Sequence, residues 1–215
     1  MTSTDTNVER TSETKIGMMA DSHGDAARIA TAAKYFQTRG CDLSVHLGDI
    51  CDTTRPETAE DCINRLITHG IMAIRGNNDH TLLLNCSALI RPEIMATLKG
   101  MPLSRQIGSA LLTHSLPFAA TLGPRCMSED MGPAYIRRFF EDYPGRQLFR
   151  GHSHQPEIVQ PGEAALCREK LRPNRLYPLK SGQSAVVTCG ALAEGRCLIW
   201  DRQQETIELI SLSDL

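Results

Sequence analysis

Aromatic side chains are scarce in this chain: 5% of 215 residues, with one Trp. Little is left for stacking a row of bases, the usual hold on single-stranded nucleic acid. An excess of one charge is also missing. Twenty-three Lys and Arg nearly balance 25 Asp and Glu, for a formal net charge of −2. We therefore expect neither a nucleic-acid coat nor a membrane-surface binder, since both demand a clear basic excess. No apolar run approaches the ~20 residues of a membrane-spanning helix. None of the eight cysteines forms a CxxC pair, and the opening Met1-Thr2-Ser3-Thr4 lacks the apolar run of a secretory signal. Reduced thiols and a cytoplasmic location are the expectation. Small anionic substrates stay open, because a metal centre supplies its own positive charge.

What is present reads as an α/β chain. Residues 1–14 are polar and aperiodic, which suggests a disordered tail, and 15–215 fit a single domain. Ile16 to Ala20 reads as a buried strand, and Asp25 to Arg39 as a helix with Ile29, Ala33 and Phe36 on one face and Gly40 as its stop. Leu43 to Leu47 and Ile71 to Ile74 repeat the strand pattern. Between them lies a helix carrying Ala59, Cys62, Ile63, Leu66 and Ile67, with Thr54 and Glu57 as a capping box at its start. A run of β-α steps argues for parallel strands. The second half reads as strands: Leu103 to Ile107, Ala110 to Thr113, Gln147 to Arg150, Glu157 to Gln160, Ala185 to Thr188, Cys197 to Trp200 and Thr206 to Ile210, with one helix from Pro133 to Asp142. Gly108-Ser109 is a hairpin turn. Two sheets packed face to face, with helices outside, accommodate both halves.

Four short clusters follow apolar runs: Asp21-Ser22-His23, Gly48-Asp49, Gly76-Asn77-Asn78-Asp79 and Gly151-His152-Ser153-His154. His114 ends a fifth run. Taken singly, an Asp or His at a strand end is more often a hydrogen-bonded loop residue than a ligand. Jointly they supply Asp, Asn and His donors that can converge at one sheet edge and suit a two-metal hydrolytic site. His152 and His154, at alternating positions, suit one ligand to each of two ions. His46 reads as a partner behind the ligands or as a core histidine. His69, beside the helix-ending Gly70, has the bland role of a residue suited to a helix C-terminus.

In that order, the clusters resemble the motif series D-x-H, G-D, G-N-H-[DE], H and G-H-x-H of the calcineurin-like metallophosphoesterase family. The resemblance covers Asp21 to His154 and implies an α/β/β/α sandwich. It further implies one ion held by Asp21, His23, Asp49 and His154, and a second held by Asn77, His114 and His152 with Asp49 as bridge. Manganese stands foremost, with iron, zinc or nickel as alternatives, since the ligand types do not choose among them. The implied reaction is hydrolysis of a small phosphodiester or phosphomonoester by a metal-bridging hydroxide. The alternatives are a non-catalytic scaffold on the same fold and a protein phosphatase of the superfamily; homo-oligomerisation is left open.

Asn78 stands where the larger branch of the family has His, so the usual acid for the leaving oxygen is missing at its place. A Gly-Asn-x-Asp pattern is similar to a compact bacterial and archaeal branch associated with phosphodiesters. His80 is open between a substitute general acid and a packing residue at the start of a helix expected near Thr81. Asp79 reads as an orienting residue. Ser115 departs from the Gly common after the motif His. Basic residues cluster in 115–147 and 161–184, the latter longer than a simple turn requires; most read as solvated charge, some as a phosphate clamp.

Overall fold

The computed structural model describes residues 14–214. The tail expected for 1–14 thus lies outside the described residues except for Thr14, whose N–H and hydroxyl both donate to Asp42 Oδ2 at 2.9 Å. The first half runs β1 (Lys15–Met19), α1 (Ala26–Thr38), β2 (Leu43–His46), α2 (Ala59–Thr68), β3 (Met72–Ala73), α3 (Asn77–Asn85) and α4 (Pro92–Gly100). It is followed by β4 (Ser104–Ile107), β5 (Ala110–Thr113), α5 (Ala119–Leu122), α6 (Pro133–Asp142) and β6 (Gln147–Arg150). The chain closes with β7 (Glu157–Pro161), β8 (Leu166–Lys170), β9 (Leu176–Pro178), β10 (Ala185–Thr188), β11 (Arg196–Asp201) and β12 (Thr206–Ser211).

The strands form two six-stranded mixed sheets, ordered β3-β2-β1-β11-β12-β9 and β4-β5-β6-β10-β7-β8. Alternation along the strands builds the layers. Ile16 and Met18 of β1 join Phe149, Val187 and Trp200 in the core between the sheets. Met19 faces the other way, onto Ile29, Phe36, Ile63 and Leu98 of α1, α2 and α4. On the far side, Leu148, Val159 and Val186 pack beneath Ile136 and Phe139 of α6. The result is the α/β/β/α sandwich.

Local chemistry explains the boundaries. Asp25 caps α1 by accepting from the Arg28 N–H at 2.9 Å. The Thr54-Glu57 capping box does not form. Thr54 donates its N–H and hydroxyl to Asp52 instead, at 2.8 and 2.7 Å, and α2 begins at Ala59 after a short 3₁₀ turn. α3 starts at Asn77 rather than near Thr81, because Asp79 receives the Gly76 N–H at 2.9 Å and caps it early. Residues 161–184 are not a plain loop: β8 pairs with β7, and β9 with β12. Some of their charges are paired at the surface, Arg168 with Glu157 and Arg175 with Glu169, as are Arg125 with Glu129 and Arg138 with Asp142 in the earlier segment.

β1, β2 and β3 run parallel, as do β5, β6 and β10. The loops leaving β1 and β2 carry Asp21 and His23, and Asp49, and α3 beyond β3 begins with Asn77. The loops leaving β5 and β6 carry His114, His152 and His154. Carboxyl ends of parallel strands are where α/β sheets place their ligands. No helix among the described residues is long and apolar enough to cross a membrane.

Candidate metal centre

Backbone pairing continues past the strands and sets the loops side by side. The Asp21 N–H donates to Gly48 O at 3.0 Å, and the His23 N–H to Asp49 O at 3.1 Å. Within the second sheet the Gly151 N–H donates to His114 O at 3.0 Å, and the His152 N–H ties that sheet to the first by reaching the Asp21 carboxylate at 3.0 Å. Two glycines permit this approach. A methyl at Gly76 would collide with the Asp49 carboxylate, and one at Gly151 would sit 2.6 Å from both Ala20 Cβ and Asp21 Oδ2.

The backbone conformation is as informative as the contacts. Seven described non-glycine residues have positive φ, and five of them are Asp21 (54°), His23 (46°), Asp49 (55°), His152 (70°) and His154 (58°). Left-handed backbone costs of order 1–3 kcal/mol at each such residue and is held only where the surroundings dictate it.

These constraints bring together all seven side chains singled out from the sequence. His23 Nε2 lies 3.1 Å from His154 Nε2, and the latter is 3.6 Å from Asp21 Oδ1. His114 Nε2 lies 3.0 Å from Asn77 Oδ1, 3.3 Å from His152 Nδ1, 3.4 Å from Asp49 Oδ1 and 4.0 Å from Asp21 Oδ1. Asp21, His23 and His154 form one compact candidate set, and Asp21, Asp49 and His114 another, so Asp21 is common to both. On the far side His114 Nδ1 faces the Leu47 carbonyl at 2.9 Å. A proton there leaves Nε2 with its lone pair toward the cluster, as a ligand requires.

The donor set fits a cation. Among the described residues, the ion-pair partners of Asp21 and Asp49 are histidines. Burial alone would raise the Asp49 carboxyl, but His114 and two bonds from Asn78 outweigh it and hold the group below the ordinary carboxylate range. Burial likewise works to discharge His114, yet Asp49, Asp21 and the Leu47 carbonyl lift its imidazole to about 9. The His154 imidazole is raised by its bond to Asp21, with burial opposing. His152 is lowered, by burial and then by the charges of His114 and Arg150. A cluster that draws a proton onto a buried histidine is one that attracts positive charge. Nitrogen and oxygen donors with no thiolate suit borderline and hard divalent ions.

Behind the cluster, His46 is fully buried, with Nε2 2.9 Å from Ser22 Oγ, and burial pushes its imidazole down to about 3, so it stays neutral. Asp79 is also fully buried and accepts from the Ile50, Cys51 and Gly76 N–H groups at 2.9–3.0 Å, tying the Asp49 loop to α3. Burial and the nearby Asp49 raise its carboxyl to about 6. Asn78 grips Asp49 directly. His80 lies in the first turns of α3; its Nδ1 is buried without a hydrogen-bond partner, and burial with the neighbouring Arg75 lowers its imidazole. His69 caps the end of α2.

Three contributors escape a reading of the sequence. Asp130 Oδ1 lies 3.6 Å from His152 Nε2, and Glu194 Oε1 lies 3.6 Å from His154 Nδ1. The third, Arg150, is buried beneath the histidine loops, and burial lowers its guanidinium to about 10, still protonated at neutral pH. Asp130 and Glu194 lie outside the motifs, 16 residues past His114 and 40 past His154. Only the position of Arg150 next to Gly151 hinted at a role.

Comparison with known proteins agrees with this geometry. A family model described as the calcineurin-like phosphoesterase superfamily domain matches residues 14–177. Among solved structures, a metallophosphoesterase from Sphaerobacter thermophilus superposes with a TM-score of 0.70 at 18% identity, covering 91% of this chain and 86% of the other. A protein described as a candidate diadenosine tetraphosphatase gives 0.62 at 13% identity, covering 94% and 95%. The protein TT1561 of Thermus thermophilus gives 0.53 at 13% identity, covering 94% and 100%. At such identities the likeness concerns the fold. No curated protein matches the chain.

Proposed function

This chain belongs to the calcineurin-like phosphoesterase superfamily, and from that premise we propose that it hydrolyses a small phosphodiester, in preference to a phosphomonoester, at a centre of two divalent ions. The observation that carries this reading is the convergence of seven N/O donors, five of them on left-handed backbone. In our assignment Asp21, His23, Asp49 and His154 hold one ion, and Asn77, His114 and His152 the other, with Asp49 shared and Asp21 close to both. Manganese is the first candidate. When bound, such ions polarise a phosphoryl oxygen and bring the pKa of a coordinated water to near ~7.

The chain's own residues set the rest. His114, oriented through the Leu47 carbonyl, presents a neutral Nε2 once a cation displaces its proton. Asn78 carries no acidic proton, and its amide N–H is engaged with Asp49. Burial and Arg75 keep His80 largely uncharged at neutral pH, which supports a packing role for it over an acid role. With the leaving oxygen unprotonated, substrates with good leaving groups are favoured, since general acid help is worth ~10²–10⁴-fold on poor ones.

The test is a substrate panel on the Mn²⁺-reconstituted protein together with metal analysis. We expect about two equivalents per chain, ready hydrolysis of bis-p-nitrophenyl phosphate and slow turnover of unactivated alkyl monoesters. Metal content near zero after reconstitution would overturn the centre. Efficient turnover of the alkyl monoesters would overturn the preference for diesters.

A further inference from the structure

Arg150 ends β6 and is only 3% exposed. Its guanidinium is aimed at neutral oxygens: Nε donates to Ser115 O at 3.2 Å, Nη2 to Ser115 Oγ at 3.2 Å, and Nη1 to Thr188 Oγ1 at 3.1 Å, with a longer contact to Ser153 Oγ at 3.5 Å. A buried cation held this way costs more to keep than an apolar side chain of similar volume. Filling space therefore does not explain it.

What it joins does. Ser115 follows His114 directly, and Ser153 lies between His152 and His154, so one planar fork spans the two loops that carry three of the clustered histidines. The chain of bonds runs on: Ser115 Oγ donates to Glu129 O at 2.5 Å, and the next residue, Asp130, faces His152 Nε2 at 3.6 Å. A serine where glycine would leave no acceptor thus has a specific partner. We propose that Arg150 and Ser115 together form a positioning device that holds His114 and His152 at the spacing needed to bind the second ion. This rests on the two-ion reading above. Arg150 touches no reacting atom; it acts through the histidines.

Calorimetric titration of the metal-free, full-length protein with Mn²⁺ tests this without any turnover. The unmutated chain should take up about two equivalents. Arg150→Met should bind the second about 10–100-fold more weakly and leave the first near its original affinity, the range typical for groups that orient metal ligands. Ser115→Ala should weaken the same equivalent. The double variant should be no weaker than Arg150→Met alone, because the two act as a unit. Arg150→Lys, which keeps the charge but not the fork, should fall between. If the variants melt at lower temperature yet bind both equivalents with unchanged affinity, Arg150 is a structural residue and the inference fails while the two-ion reading stands. An unmutated chain that takes up no Mn²⁺ overturns both. Should Arg150→Met not fold, an unchanged second affinity in Ser115→Ala overturns the proposal by itself.

Discussion

Asn78 holds both oxygens of Asp49: its backbone N–H donates to Oδ1 at 2.8 Å and its side-chain Nδ2 to Oδ2 at 2.6 Å. The amide that replaces the family's histidine orients a buried carboxylate. Asn78→Ala should therefore lower kcat/KM on bis-p-nitrophenyl phosphate by about 10–100-fold, the usual scale for losing a group that fixes a metal ligand. Esters with poor leaving groups should lose the same factor. A selective loss on poor leaving groups would instead mean that Asn78 takes part in proton delivery.

Asp49→Ala should bind neither ion tightly and lose nearly all activity, since our assignment has both ions share that carboxylate. His69→Ala, at the far end of α2, should stay close to the original rate. Metal analysis and turnover on the same preparations check the contrast, and wild-type turnover by Asp49→Ala would remove the shared carboxylate from the scheme.

Gly76→Ala adds one methyl, directed at the Asp49 carboxylate. We expect a loss of about 1–3 kcal/mol in stability from overpacking, with Mn²⁺ uptake reduced because Asp49 must move. Chemical denaturation and metal titration report the two effects separately. An alanine variant that keeps full Mn²⁺ affinity would show that the loop has room to spare.

The buried His46 gives a pH dependence with a definite sign. Its native value is pushed down to about 3 from an ordinary 6.5. Below pH 6.5 the unfolded chain therefore takes up a proton that the native state refuses. Stability falls as the pH drops through that window, by about 1.4 kcal/mol per pH unit for this one group. His46→Gln, neutral throughout, should show a shallower acid slope by that amount in denaturation curves between pH 6 and 4. Equal slopes would mean that His46 is not held neutral.

The sequence announced elements wherever apolar runs meet hard punctuation. Bounds read for α6, β6 and β10 coincide with those observed, because Pro133, Gly145, Gly151 and Gly190 or their neighbours enclose well-patterned segments. β8 was invisible: Leu-Cys-Arg-Glu-Lys is exposed at four of five positions, and only pairing with β7 makes it a strand. α4 escapes a reading of the sequence although Pro92 opens it. The start of α3 lies at Asn77 and not near Thr81 because Asp79 caps Gly76, although Asn77, Asn78 and Asp79 resemble loop formers in the sequence. At the site, residue type and strand-end position brought all seven clustered side chains to notice. Arg150 could not be found that way, since its partners Ser115 and Thr188 lie 35 and 38 residues away and become neighbours only when β5, β6 and β10 pair.

The left-handed backbone at Asp21, His23, Asp49, His152 and His154 also bears on how such a site would decay over evolutionary time. Glycine adopts that conformation without the penalty of ~1–2 kcal/mol that a side chain brings. In a lineage released from holding cations, glycine at His23, His152 or His154 would relieve that cost, whereas Asp21 and Asp49 are also held by the His152 and Asn78 N–H groups they accept. His114 and Asn77 sit in ordinary conformations and feel no such pull. Descendants of this fold that have abandoned chemistry should accordingly lose His23, His152 and His154 first, an order of loss that an alignment of degenerate relatives would reveal.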